Sequence, residues 1–159
     1  MAVQKADGIV TIGTKSFKVI EANVNNEILG KLLSMAKAEG AFDRYSKRED
    51  AIKHGVDMVY EQLGNLKDTD ADSYIEKMLA CFDKIDSLTE KSEENAKTTT
   101  GIVDGVYEGA DYIIEKLLGK EALTASTAMN LSQKNDIIND ILTNSKYVGK
   151  AVRKANVSK

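Results

Sequence analysis

The sequence predicts a mainly α-helical protein with a small strand-bearing unit near its N-terminus. Three observations lead there. Apolar residues recur at helical spacing through most of the 159-residue chain, β-branched and aromatic residues concentrate in residues 17–24, and proline is absent. Apolar side chains make up 42% of the chain and charged ones 30%, the composition of a folded soluble domain and not of a disordered one. No apolar run approaches the roughly 20 residues that span a bilayer. The N-terminus also lacks the basic-then-apolar pattern of a signal peptide, so a cytoplasmic protein with no membrane partner is expected. The single cysteine, Cys81, cannot form an internal disulfide and suits a reducing compartment.

Taken in chain order, Gly8 to Ser16 comes first. It resembles a phosphate loop only superficially, because Thr14 stands between the second glycine and Lys15, and the residues between the glycines are β-branched. A short extra strand turning at Gly13-Thr14 is the expectation. Residues 17–24, Phe-Lys-Val-Ile-Glu-Ala-Asn-Val, read as the next strand. Its alternation would put Ile20, Ala22 and Val24 inward, and Val19, Glu21 and Asn23 outward. Asn25-Asn26 can cap a helix from Glu27 to Glu39, with Ile28, Leu29, Leu32, Met35 and Ala36 on one stripe. Gly40 stands where a left-handed residue would end that helix. After Ala41–Tyr45, Ser46-Lys47-Arg48-Glu49 has the form of a capping box for a second helix, striped by Ile52, Val56, Val59 and Leu63. Gly55 would let another helix approach closely.

One strand and two short helices bury too little apolar surface alone, and a lone strand leaves both edges unpaired. Two copies would solve both problems. The run Val24 to Leu29, followed by Leu32, Met35-Ala36 and Gly40, is similar to the strand-cap-helix stretch of the CopG/Arc/MetJ-type ribbon-helix-helix family. Glu49 to Val56 resembles its second helix. The resemblance covers residues 15–63, and the five residues before the capping box lengthen the family's usual turn. It implies an intertwined dimer whose two-stranded ribbon enters the major groove of double-stranded DNA. Lys18, Val19, Glu21 and Asn23 would then face DNA from the ribbon. Arg44 and the helix N-terminus at Ser46, Lys47 and Arg48 would hold phosphate. Residues 1–68 carry ten basic and ten acidic side chains, which lends this binding little electrostatic support.

From Asp72 to Leu118 the spacing alternates three and four without a break. Ile75, Phe82, Val103 and Leu117 fall at a positions, and Met78, Ile85, Val106 and Ile113 at d positions; these eight are the expected oligomerisation residues. The middle of the seam, Thr89 to Thr99, is small and polar. One long helix competes with a helical hairpin, and Thr98-Thr99-Thr100-Gly101, all poor helix formers, tilt the expectation towards a break. Ser132 would cap a last helix bearing Ile137, Ile138, Ile141 and Leu142. A basic tail follows, with Lys146, Lys150, Arg153, Lys154 and Lys159.

Two domains are therefore expected: residues 1–68 for DNA and residues 69–159 for assembly. The second divides by charge, with five basic against twelve acidic side chains in residues 69–118 and seven against three in 119–159. His54 and Cys81 stand apart from any metal-ligand set, and no nucleophile–base pair is legible, so neither an enzyme, a metal nor a cofactor is expected. The head and tail together resemble TraM-like relaxosome proteins and ParR-like partition adaptors of plasmids and mobile elements; simple repressors use the same head. That resemblance implies a homodimer or tetramer working with a relaxase, a coupling protein or a filament-forming ATPase. The competing expectation is a helical interaction scaffold that does not bind DNA.

Overall fold

Ile9, Val10, Thr11 and Ile12 are all β-branched, which favours extended backbone. In a computed structural model describing residues 8–67 and 71–146 they form β1 (Ile9–Ile12), paired antiparallel with β2 (Lys15–Lys18). The register sets Ile9 opposite Lys18 and Ile12 opposite Lys15, leaving Gly13-Thr14 as a two-residue turn. Gly13 has φ +61°, and Gly at the first turn position relieves the strain that a positive φ would place on any other residue. The extra strand and its turn are thus where the sequence puts them.

The second strand is shorter than its β-branched run. Chain pairing stops at Lys18, and Glu21–Asn23 forms a single 3₁₀ turn. The expected alternation holds at Asn23, which is exposed, and at Val24, which is half-buried against the core, but it is overturned at Val19, which is buried, and at Ile20 and Ala22, which are exposed. Tertiary demand wins here. The Ile20 N–H donates to the Leu117 carbonyl at 2.8 Å and the Val19 N–H to the Gly8 carbonyl at 2.7 Å, so these residues anchor a turn instead of extending a ribbon. Within the chain β2 pairs with β1.

Asn25 caps the first helix as expected, its Oδ1 accepting the Ile28 N–H at 3.0 Å. That helix, α1 (Asn26–Gly64), runs for 39 residues. Neither Gly40 nor Ser46 ends or starts anything. Once a helix is nucleated each further residue adds a hydrogen bond, and an interior glycine costs only about 1 kcal/mol relative to alanine. Stopping at Gly40 would have cost more, since Tyr45, Glu49, Ile52, Val56, Val59 and Leu63 continue one stripe of partly or fully buried residues at alternating four and three spacing.

The heptad stretch is likewise one helix, α2 (Ala71–Leu118), of 48 residues. The expected break at Thr98–Gly101 is absent. The Thr98 and Thr99 hydroxyls donate to the Glu94 and Asn95 carbonyls one turn back, at 3.0 and 2.8 Å, and so do not compete for the chain in another conformation. Gly119, at φ +95°, ends α2. Two helices follow: α3 (Lys120–Ser126), which the heptad pattern does not reveal, and α4 (Leu131–Asn144). The cap of α4 is Asn130 and not Ser132; Asn130 and Gln133 exchange both hydrogen bonds of a capping box at 3.0 Å.

These elements form two compact units, one from residues up to Ala38 and from Asp104 onward, the other Glu39–Val103. In the first, β1 packs on α3 and α4, and one core joins Val10, Ile12 and Ile28 to Ile113, Ile114, Leu117 and Ile141. Each such fully buried aliphatic side chain contributes roughly 1.5–3 kcal/mol over its exposed state. Lys134 lies in the same unit, nearly excluded from water, with its ammonium paired to Asp111 and 5.8 Å from the Tyr107 ring centroid. In the second unit α1 and α2 are antiparallel: Glu49 meets Ser92 and Asn95, while Gly55 further along α1 meets Leu88 further back on α2. A Cβ at Gly55 would sit 3.4 Å from Leu88 Cδ1, at the edge of ordinary van der Waals contact.

Candidate interaction surface

The residues expected to read DNA are used otherwise in this fold. Four carbonyls at the end of any helix lack partners within it. Asn23 Nδ2 donates to one of them, Lys116 O of α2, at 2.6 Å, beside the Ile20 N–H on Leu117 O. Glu21 accepts from the Ser145 hydroxyl and from the Lys146 N–H, each at 2.8 Å, which fixes the end of α4 to the 3₁₀ turn. Val19 is 4% exposed and belongs to the core. Lys18 is exposed on β2. Arg44, Ser46, Lys47 and Arg48 are exposed on the middle of α1, where backbone N–H groups are spent on the helix and no positive dipole end exists. Lys47 reaches Asp43 at 3.7 Å, an exposed pair worth a few tenths of a kcal/mol. Of the basic tail, Lys146 is described; Lys150, Arg153, Lys154 and Lys159 lie outside the described residues.

The heptad residues divide. In the first unit Ile113 and Leu117 are fully buried and Val106 is half-buried; Val103, at the end of the Glu39–Val103 unit, is half-buried too. In the Glu39–Val103 unit the seam of α2 shifts by one position. Met78, Cys81, Ile85, Leu88, Ser92, Asn95 and Thr99 face α1, so d pairs with g where a with d was expected. Sequence spacing alone cannot separate these, because both pairs alternate three and four. The shift releases the a positions. Ile75 is 47% exposed, Phe82 43%, and Leu79 between them 54%.

Ile75, Leu79 and Phe82, at i, i+4 and i+7, share one face of α2. The charged residues three or four positions from any of them are Asp72, Glu76, Asp83 and Asp86, all acidic and all exposed. Lys77 and Lys84 stand two positions beyond Ile75 and Phe82, round the far side of the helix. The result is an apolar stripe with an acidic margin.

A polar layer crosses the seam of this unit. Glu49 accepts from the Ser92 hydroxyl at 2.7 Å and from Asn95 Nδ2 at 3.0 Å, and Asn95 Nδ2 also donates to the Tyr45 carbonyl at 3.0 Å. The Ser92 hydrogen bond, with help from Asn95 and Lys53, holds the Glu49 carboxyl below its ordinary range despite some opposing desolvation. Asn95 is buried, and its Oδ1 has no hydrogen-bond partner among the described residues. Beside this layer a groove of about 240 Å³ is lined by Glu49, Ile52, Lys53, Val56, Asp57, Leu88, Thr89 and Ser92. It falls below the roughly 300 Å³ at which small-molecule pockets begin. Among the described residues no cluster of His, Cys, Asp and Glu could hold a metal, and no helix is long and apolar enough to cross a membrane. Compared with known proteins, the chain matches no family model, no curated protein and no solved structure.

Proposed function

We propose that the chain is a helical interaction scaffold whose Glu39–Val103 unit offers a stiff apolar stripe to a basic amphipathic partner. The observation that carries this reading is the exposure of Ile75, Leu79 and Phe82 on one helical face whose charged neighbours along α2 are all acidic. Apolar contact would supply affinity, and the acidic margin would select a basic partner and set its orientation. The same margin disfavours phosphate, so this face is a poor site for nucleic acid.

Sequence-specific DNA binding by a plasmid or mobile-element factor is the competing reading. It keeps the exposed cations Lys18, Arg44, Lys47 and Arg48, but it needs a ribbon and a second helix N-terminus formed by a different pairing of the chain. A gel shift across a salt series, on the intergenic DNA of the element that encodes the protein, separates the two. The scaffold reading expects weak, sequence-independent retention that falls with salt. Sequence-selective retention that Lys47→Ala or Arg48→Ala removes would restore the DNA reading, since both side chains are exposed on α1.

A further inference from the structure

We propose that the basic amphipathic partner of the α2 stripe is the outer face of α1 on a second copy of this chain, so that copies join head to tail; this rests on the scaffold reading above. Ala51, Gly55 and Met58 repeat the i, i+4, i+7 spacing of Ile75, Leu79 and Phe82. Each set therefore makes a stripe about 10 Å long, at about 1.5 Å per residue. Met58 is 49% exposed, Ala51 is exposed, and Gly55, half-buried beside Leu88, adds no side chain. Lys47 and Arg48 stand four and three positions before Ala51, and Arg44 a turn earlier; all three are exposed on α1. The pair that Lys47 makes with Asp43 is itself exposed and costs little to exchange. On the other side of the stripe Glu61 stands three positions after Met58.

The two stripes fit in size and in charge. When they cross antiparallel, Phe82 and Leu79 lie over Ala51 and Gly55, large side chains in the space that small ones leave. Arg44, Lys47 and Arg48 then gather at the end of the stripe that holds Asp83 and Asp86, which outweighs the approach of Glu61 to Asp72 at the far end. Within one copy the stripes cannot meet. Ala51 and Met58 come one position before Ile52 and Val59 of the buried α1 seam, whereas Leu79 and Phe82 come one position after Met78 and Cys81 of the α2 seam. One residue turns a helix by about 100°. In this antiparallel pair the positions after both seams share a side, as Lys53, Asp57 and Thr89 do where they line one groove. The α1 stripe, before its seam, is on the opposite side. Contact between copies is therefore heterologous: each copy offers one acidic and one basic stripe, and association extends until the ends close in a ring. The rival contact, α2 stripe on α2 stripe, would set acidic margin against acidic margin, and like charges oppose it.

The test is sedimentation velocity on the full chain and on two double variants, all four substitutions at exposed positions. Wild type is expected to grow past the dimer as its concentration rises, with an association constant that falls several-fold between about 50 and about 500 mM salt. Leu79→Glu/Phe82→Glu spoils the acidic stripe and Arg48→Glu/Met58→Glu the basic one, so each variant alone should remain a single chain. An equal mixture keeps one intact pair of stripes and should form a dimer and nothing larger; that rescue also shows that both variants fold. Wild type that stays a single chain, association that persists in either variant, or a mixture that fails to pair overturns the proposal. A synthetic amphipathic peptide of Leu and Lys, titrated into wild type, separates this failure from a deeper one. If the peptide binds while copies do not join, the scaffold reading stands and this proposal falls. If neither binds, both fall.

Discussion

Asn95 shows at the scale of single residues how the antiparallel pair fixes its register. Its amide nitrogen serves two acceptors, Tyr45 O and Glu49 Oε2, so turning the amide over would set oxygen against oxygen at both. A sliding of α1 along α2 by one turn would strand that buried group, and a buried polar group without a partner costs about 1–3 kcal/mol. Glu49 adds a pH dependence. A carboxyl held below its ordinary range in the folded chain contributes stability that is complete above the unfolded value and is lost as pH falls through the folded one. Ser92→Ala removes the largest cause of that depression and should return Glu49 towards its ordinary range. Urea unfolding should therefore show a gap between wild type and Ser92→Ala at neutral pH that narrows in acid. A gap independent of pH would mean that the serine contributes by packing alone.

Elements were legible to unequal degrees, and the misreadings share a cause. The turn at Gly13-Thr14 and the cap at Asn25 rest on local chemistry that nothing distant overrides. Gly40 and Ser46-Glu49 carry equally good local signals, yet both lie inside α1. Cap residues permit a helix end without compelling one, and the buried stripe from Tyr45 to Leu63 makes continuation the lower state. Val19 looks like a strand residue because anchoring a core and extending a ribbon call on the same kind of side chain. The prediction at this scale concerns Gly40. In the helix interior, with open space where a Cβ would stand, Gly40→Ala should stabilise the chain by about 0.5–1 kcal/mol, read as a raised midpoint of urea unfolding. Were Gly40 a left-handed cap, the same substitution would destabilise.

At the scale of the whole molecule, the two ends of α2 could be read from its heptads, but its continuity through Thr98–Gly101 and the face it buries could not. A seam that alternates three and four is equally served by a with d and by g with d, and the choice belongs to the opposing helix. Of the eight residues expected to join copies, Ile75 and Phe82 remain outward, and with Leu79 they make the candidate site. The acidic margin was present in the sequence as the acidic bias of residues 69–118; which apolar residues it surrounds required the fold. The central claim, that this stripe binds a basic amphipathic helix, is tested most directly by fluorescence anisotropy. A labelled Leu/Lys amphipathic peptide would be titrated with the full chain. Saturable binding is predicted, weakened by salt and at least about tenfold by adding Leu79→Glu and Phe82→Glu, a loss of about 1.4 kcal/mol or more. No binding, or equal binding with and without the two glutamates, would contradict the account.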